Sequence, residues 1–107
     1  LFTICLMNIE LIFKALSNPL RRQILQWLKH PEQFLSLEDC SGIAAGYGVC
    51  AGQIEQLGNV SQSTMSNHLS VLQQAGLVQV TKHGQWCYFS RNEALIQDFL
   101  QHIQHSL

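Results

Sequence analysis

The stretch VSQSTMSNHLSVLQQAG, residues 60–76, decides the fold. Met65, Leu69 and Leu72 fall at i, i+4 and i+7, the spacing that sets three apolar side chains on one stripe of a helix. Gln62, Ser63, Ser66, Asn67 and His68 lie away from that stripe. They are uncharged hydrogen-bonding groups on a surface where Lys and Glu are usual. Ser61 is placed to cap the amino end and Gly76 to terminate the other. A helix with one dry face and one neutral polar face suits the major groove of DNA, where base edges present donors and acceptors.

Downstream, residues 77–81 read as a strand, Lys82-His83-Gly84-Gln85 as a hairpin turn, and Trp86-Cys87-Tyr88-Phe89 as the return strand. Asn92 is positioned to cap a final helix carrying Leu95, Ile96, Phe99, Leu100 and Ile103. That is more apolar surface than one small core needs, and a dimer interface would use the excess. Upstream, residues 50–57 read as a short helix with Ala51, Ile54 and Leu57 inward, and Gly58-Asn59 as a tight turn. Residues 31–49 carry breakers at Ser41-Gly42 and Gly46-Tyr47-Gly48 and read as a long loop. Two helices precede it. Asn8 caps the first, whose Ile9, Ile12, Phe13 and Leu16 share a face; Asn18 and Pro19 open the second, whose Leu20, Ile24, Trp27 and Leu28 share another. His30-Pro31 stops it. The predicted fold is mainly α with a small β-hairpin, a dimeric winged helix-turn-helix in the order α-α-α-α-β-β-α.

A chain of 107 residues with 47% apolar content is expected to form one domain, over residues 8–105. Met7-Asn8 resembles a natural start, so residues 1–7 read as an extension or cloning remnant. The net charge of −1 is unhelpful for binding nucleic acid, but its distribution is not uniform. Asp and Glu are absent from residues 56–92, which contain Lys82, Arg91, His68 and His83. Few cations predict a shallow salt dependence of binding. No apolar run approaches the roughly 18 residues of a membrane span, and the opening LFTICLM lacks the pattern of a signal peptide. No membrane association is expected, and the cytoplasm is the expected location. The scattered Cys5, Cys40, Cys50 and Cys87, with no CxxC, are then reduced thiols by default. No nucleophile–base set or phosphate-binding glycine loop suggests an enzyme.

The chain resembles the ArsR/SmtB family of small dimeric bacterial repressors. The resemblance rests on FKALSNPLRRQILQWL (13–28), VSQSTMSNHLSVLQQAGLV (60–78) and KHGQWCYF (82–89). It implies that Gln62, Ser63, Thr64, Ser66, Asn67 and His68 face double-stranded DNA at an imperfect palindrome, with Lys82, His83 and Gln85 of the wing along the backbone or minor groove. Arg21 and Arg22 are available for phosphate or for structural bonds. Two departures stand out: a longer connection before Cys50, and one extra residue in Gly58-Asn59-Val60.

The family also implies an inducer. Many relatives hold a thiophilic metal or metalloid on a CxC-like pair at the start of the helix before the turn. Here Cys50 matches the first position and Gly52 replaces the second. Cys40, ten residues upstream, can complete a thiol sensor for metal or redox signals; the alternative is that both are small buried hydrophobes. Cys87 reads as a packing residue. The zinc site of other relatives is only half suggested, by His102 and His105, because Phe89 and Arg91 occupy the matching early positions. The expected function is a DNA-binding repressor released by a small inducer. The competing reading is a winged-helix protein-interaction module without specific DNA binding.

Overall fold

Four helices begin on a side-chain oxygen cap supplied by the sequence. In the computed structural model, which describes residues 7–36 and 41–107, Asn8 Oδ1 accepts from Leu11 N at 3.1 Å and opens α1 (Ile9–Leu16). Asn18 Oδ1 accepts from Leu20 N and Arg21 N at 2.8 and 3.2 Å and opens α2 (Pro19–Lys29), with Pro19 where a missing N–H does no harm. A single 3₁₀ turn, Pro31–Gln33, follows. Beyond it come α3 (Ser41–Ala44), β1 (Val49–Cys50), α4 (Ala51–Gly58), α5 (Gln62–Gln74), β2 (Val78–His83), β3 (Trp86–Arg91) and α6 (Glu93–Ser106). Asn92 Oδ1 caps α6 through Leu95 N at 3.2 Å. Caps of this kind are each worth about 1 kcal/mol against alanine.

The winged-helix reading holds, with two revisions. The first is a sixth helix inside the segment read as loop and a third strand at its end, which also takes Cys50 from the helix read over residues 50–57. Val49 and Cys50 pair antiparallel with Phe89 and Tyr88, giving the sheet order β1-β3-β2, and α3 is one helical turn. Two residues carry no readable period; their strand character comes from the open edge of β3, which needs a partner for its backbone groups. Gly48, at φ +110°, brings the chain against the Phe89 carbonyl where a side chain would not fit. The second revision concerns the hairpin, whose strands extend to His83 and from Trp86, leaving only Gly84-Gln85 as the turn. Gly84 supplies the positive φ, +62°, that lets two residues reverse the chain.

The core lies where α1, α2, α4 and α5 meet the sheet. Ile12, Ile24, Val49, Ile54, Met65, Leu72 and Leu77 are its most deeply buried large side chains, and Met7 joins it. Gly58 packs against the terminal methyl of Met65, where a Cβ would collide, and Asn59 turns the chain in the left-handed region at φ 50°. These two residues set the close approach of α4 to α5.

Candidate nucleic-acid interface

The helix that matters is fixed at both ends. Ser61 Oγ accepts from Thr64 N at 3.2 Å and donates to Thr64 Oγ1 at 2.8 Å, so the Thr64 hydroxyl belongs partly to the cap. At the other end Leu77 N bonds Leu72 O at 3.0 Å and Gly76 N bonds Gln73 O at 2.9 Å, the paired bonds of a Schellman terminator, with Gly76 at φ +81°. Between them Met65, Leu69 and Leu72 are buried. Gln62, Ser63, Thr64, Ser66 and Asn67 are exposed on the other side, and His68 is half-buried at the margin. The polar face also continues through Ser70 and Gln73, which the sequence reading did not include although their helical spacing from Ser66 announces them.

His68 is half-buried because an arginine reaches it. Arg21 Nη1 lies 3.1 Å from His68 Nδ1, while its Nε donates to Ala15 O at 2.7 Å and its Nη2 to Lys14 O at 3.0 Å. Arg22 Nη1 donates to Leu16 O at 2.6 Å. Both guanidinium groups therefore satisfy carbonyls at the C-terminal end of α1, the negative end of that helix dipole. Burial, and then the Arg21 charge, hold the His68 pKa below its ordinary 6.5.

The wing residues divide between two surfaces. Side chains alternate along a strand, so Val78, Val80 and Lys82 share a face with Arg91, Phe89 and Cys87, their cross-strand partners. Cys87 and Phe89 line a groove of ≈ 300 Å³ with Gln62, Ser66, Leu69, Ser70 and Gln73, so this face turns toward α5. Lys82 stands exposed on it. His83 points the other way, stacked on Tyr47 with ring centroids 4.5 Å apart, and Tyr47 in turn lies 5.3 Å from Tyr88. Gln85 is exposed in the turn. Tyr47, just before β1, is thus packed on the wing, a contact that no local pattern signals.

Cys50 is half-buried just ahead of α4, where its N–H donates to Gln53 Oε1 at 3.2 Å. Cys40 and Cys5 lie outside the described residues. Cys87 is half-buried. Arg91 grips Glu93 with both arms, at 2.9 and 3.2 Å, and reaches Leu25 O at 3.5 Å. Among the described residues no three His, Cys, Asp or Glu side chains gather as metal ligands, and no helix is long and apolar enough to cross a membrane.

The family described as "Helix-turn-helix domain" matches residues 16–81, which run from the end of α1 into the wing. An uncharacterized HTH-type transcriptional regulator of Bacillus subtilis, YbzH, is 42% identical over 84% of this chain and 92% of its own length. The chain belongs to the helix-turn-helix transcriptional regulators. The transcriptional repressor SdpR of the same organism is 34% identical, covering 81% of this chain and 79% of its own. A solved ArsR family transcriptional regulator superposes with a TM-score of 0.58 over 90% of this chain and 86% of that one, and at 16% identity it speaks for the fold alone. A helix-turn-helix transcriptional regulator is a DNA-binding protein rather than an enzyme, and that is the role this chain shares with its relatives.

Proposed function

We propose that the protein is a homodimeric repressor that lays α5 of each subunit in successive major grooves of an imperfect palindrome, about one helical turn apart. The observation that carries this is the two-sided α5, fixed by Ser61 and Gly76, with Gln62, Ser63, Ser66 and Asn67 exposed opposite buried Met65, Leu69 and Leu72. Amide side chains suit bidentate contacts with adenine, and hydroxyls suit phosphate. Lys82 lies on the wing face turned to α5 and supplies a phosphate contact; Gln85 approaches the backbone from the turn, and His83 from the opposite face of the wing, where it stacks on Tyr47.

The dimer is built on α1 and α6. Phe13 and Phe99 meet edge to face at 5.7 Å, and Phe13 and Leu100 remain 45% and 51% exposed, apolar surface that a second copy would cover. An inducer acts by shifting the balance between two arrangements of the subunits, only one of which matches the spacing of the grooves. Cys50, with Cys40 as the second thiol of the sequence reading, is where a metal or redox signal would start. Such a protein works in the cytoplasm.

The test is a gel shift on the promoter region of its own gene, with sedimentation to fix the oligomer. Retardation by a dimer is expected, with Asn67→Ala weakening it about 5- to 30-fold while dimer mass and helicity stay intact. Absence of retardation at low salt by folded protein would favour the interaction module instead, and a strictly monomeric protein would sink the paired-groove arrangement.

A further inference from the structure

Arg21 is anchored before it reaches α5. Its Nε and Nη2 are committed to Ala15 O and Lys14 O, at 2.7 and 3.0 Å, and these bonds hold the guanidinium plane against the end of α1. What remains is Nη1, 3.1 Å from His68 Nδ1. A guanidinium carries donors only, so this contact is a hydrogen bond only if Nδ1 offers a lone pair. A neutral imidazole with a bare Nδ1 keeps its proton on Nε2. The alternative states place N–H against N–H, and a protonated ring also places cation against cation. Among the described residues no carboxylate forms an ion pair with His68. The far nitrogen, Nε2, reaches solvent: it shows no protein acceptor, yet no buried side-chain nitrogen among the described residues lacks a partner.

We infer that Arg21 is a positioning residue for the recognition helix, fixing His68 in the Nε2–H tautomer so that the ring offers DNA a donor and selects an acceptor. That acceptor is a purine N7, guanine O6, thymine O4 or phosphate oxygen. The inference rests on the DNA-binding reading of α5 and adds what one of its residues recognises. It also joins α1, a helix of the proposed dimer interface, to the reading face through a single side chain.

The tautomer is read on the free, ¹⁵N-labelled protein, from long-range ¹H–¹⁵N correlations of the histidine rings. The expected pattern for His68 is a protonated Nε2 and a bare Nδ1, lost to a tautomer mixture in Arg21→Met. Arg21→Lys, which keeps the charge but cannot span both carbonyls and the ring, gives an intermediate pattern and guards against a variant that merely misfolds. DNA affinity is then compared for His68→Gln, whose amide donor reaches the Nε2 position, and His68→Asn, whose amide stops at Nδ1. The Asn variant should bind about 30-fold more weakly than wild type, roughly fivefold for one hydrogen bond in each of two subunits, and the Gln variant should recover most of that loss. A loss confined to the operator assigns the acceptor to a base edge; an equal loss on unrelated duplex assigns it to phosphate. A wild-type ring protonated at Nδ1, or a pattern unchanged in Arg21→Met, overturns the inference while DNA binding stands. Equal affinity of wild type, Gln and Asn variants overturns the donor role. Absence of DNA binding by wild type overturns both this and the reading beneath it.

Discussion

Replacing Lys82 by glutamine tests how this protein meets the phosphate backbone. The chain has six Lys and Arg residues. Arg21 and Arg22 are tied to carbonyls of α1, and Arg91 is held by Glu93. Among the described residues, Lys82 is then the one Lys or Arg between residues 56 and 92 with no carboxylate partner, and it stands on the face of the wing turned to α5. Each phosphate neutralised contributes about −0.9 to the slope of log K against log salt, so in the proposed dimer one Lys82 per subunit would contribute about −1.8. If Lys82 acts alone, raising salt fourfold weakens wild-type binding roughly 12-fold; a second phosphate contact per subunit from Arg22 makes that about 150-fold. In either case Lys82→Gln removes about 1.8 from the slope, and it does so equally on operator and unrelated DNA. Fluorescence anisotropy on a labelled duplex across a salt series measures it. A slope unchanged in the variant would refute the placement of Lys82 on phosphate, and a change restricted to operator DNA would make it a base contact instead.

Gly76→Ala should destabilise the fold by about 2 kcal/mol, from left-handed backbone strain at φ +81° and from Leu95 Cδ1 lying 2.7 Å from the new methyl, whereas Gly84→Ala, at φ +62° with open space around it, should cost only the strain, about 1 kcal/mol. Urea unfolding separates them, and equal losses would refute the Leu95 contact. Because the folded protein holds the His68 pKa below 6.5, the unfolded chain binds the proton more readily, so stability from this group is complete above pH 6.5 and falls as pH drops toward the lowered value. Wild type should therefore lose more stability than His68→Gln between pH 7.5 and 5.5, and a loss of the opposite order would exclude the assignment. Cys50→Ser should leave DNA affinity within about twofold and abolish release by arsenite, cadmium or peroxide; release that persists places the sensor elsewhere.

The parts of the fold legible in sequence were those decided by neighbours along the chain. Asn8, Asn18, Ser61 and Asn92 all cap the helices that follow them, and Gly76 ends α5, because a cap acts over three or four residues and leaves its mark in that span. What stayed hidden was decided by distant packing. β1 exists because Phe89 and Tyr88 offer an edge about forty residues away. Arg21 and His68 are 47 residues apart and meet only once α1, α2 and α5 have packed. The division of the wing was within reach, since alternation alone separates Lys82 from His83, but reading residues 82–85 as a turn removed the period that would have shown it.

The cations explain why such placement matters. Half of the Lys and Arg residues serve the fold: two stabilise the negative end of α1 and one clamps the start of α6. Little long-range attraction remains for DNA, and in the proposed complex affinity would then come from short hydrogen bonds made by neutral groups on α5. Those bonds weaken steeply with distance and angle, so a shift of about 1 Å that a lysine-rich surface would tolerate is ruinous here. That demand accounts for the rigidity around α5, with Ser61 at its start, Gly76 at its end, Gly58 beneath Met65 and Arg21 at His68. It also supplies a route for control. In the proposed dimer a small rotation of α1 would move Ala15 O and Lys14 O, Arg21 would move with them, and the His68 ring would lose its register on DNA without α5 having to unfold.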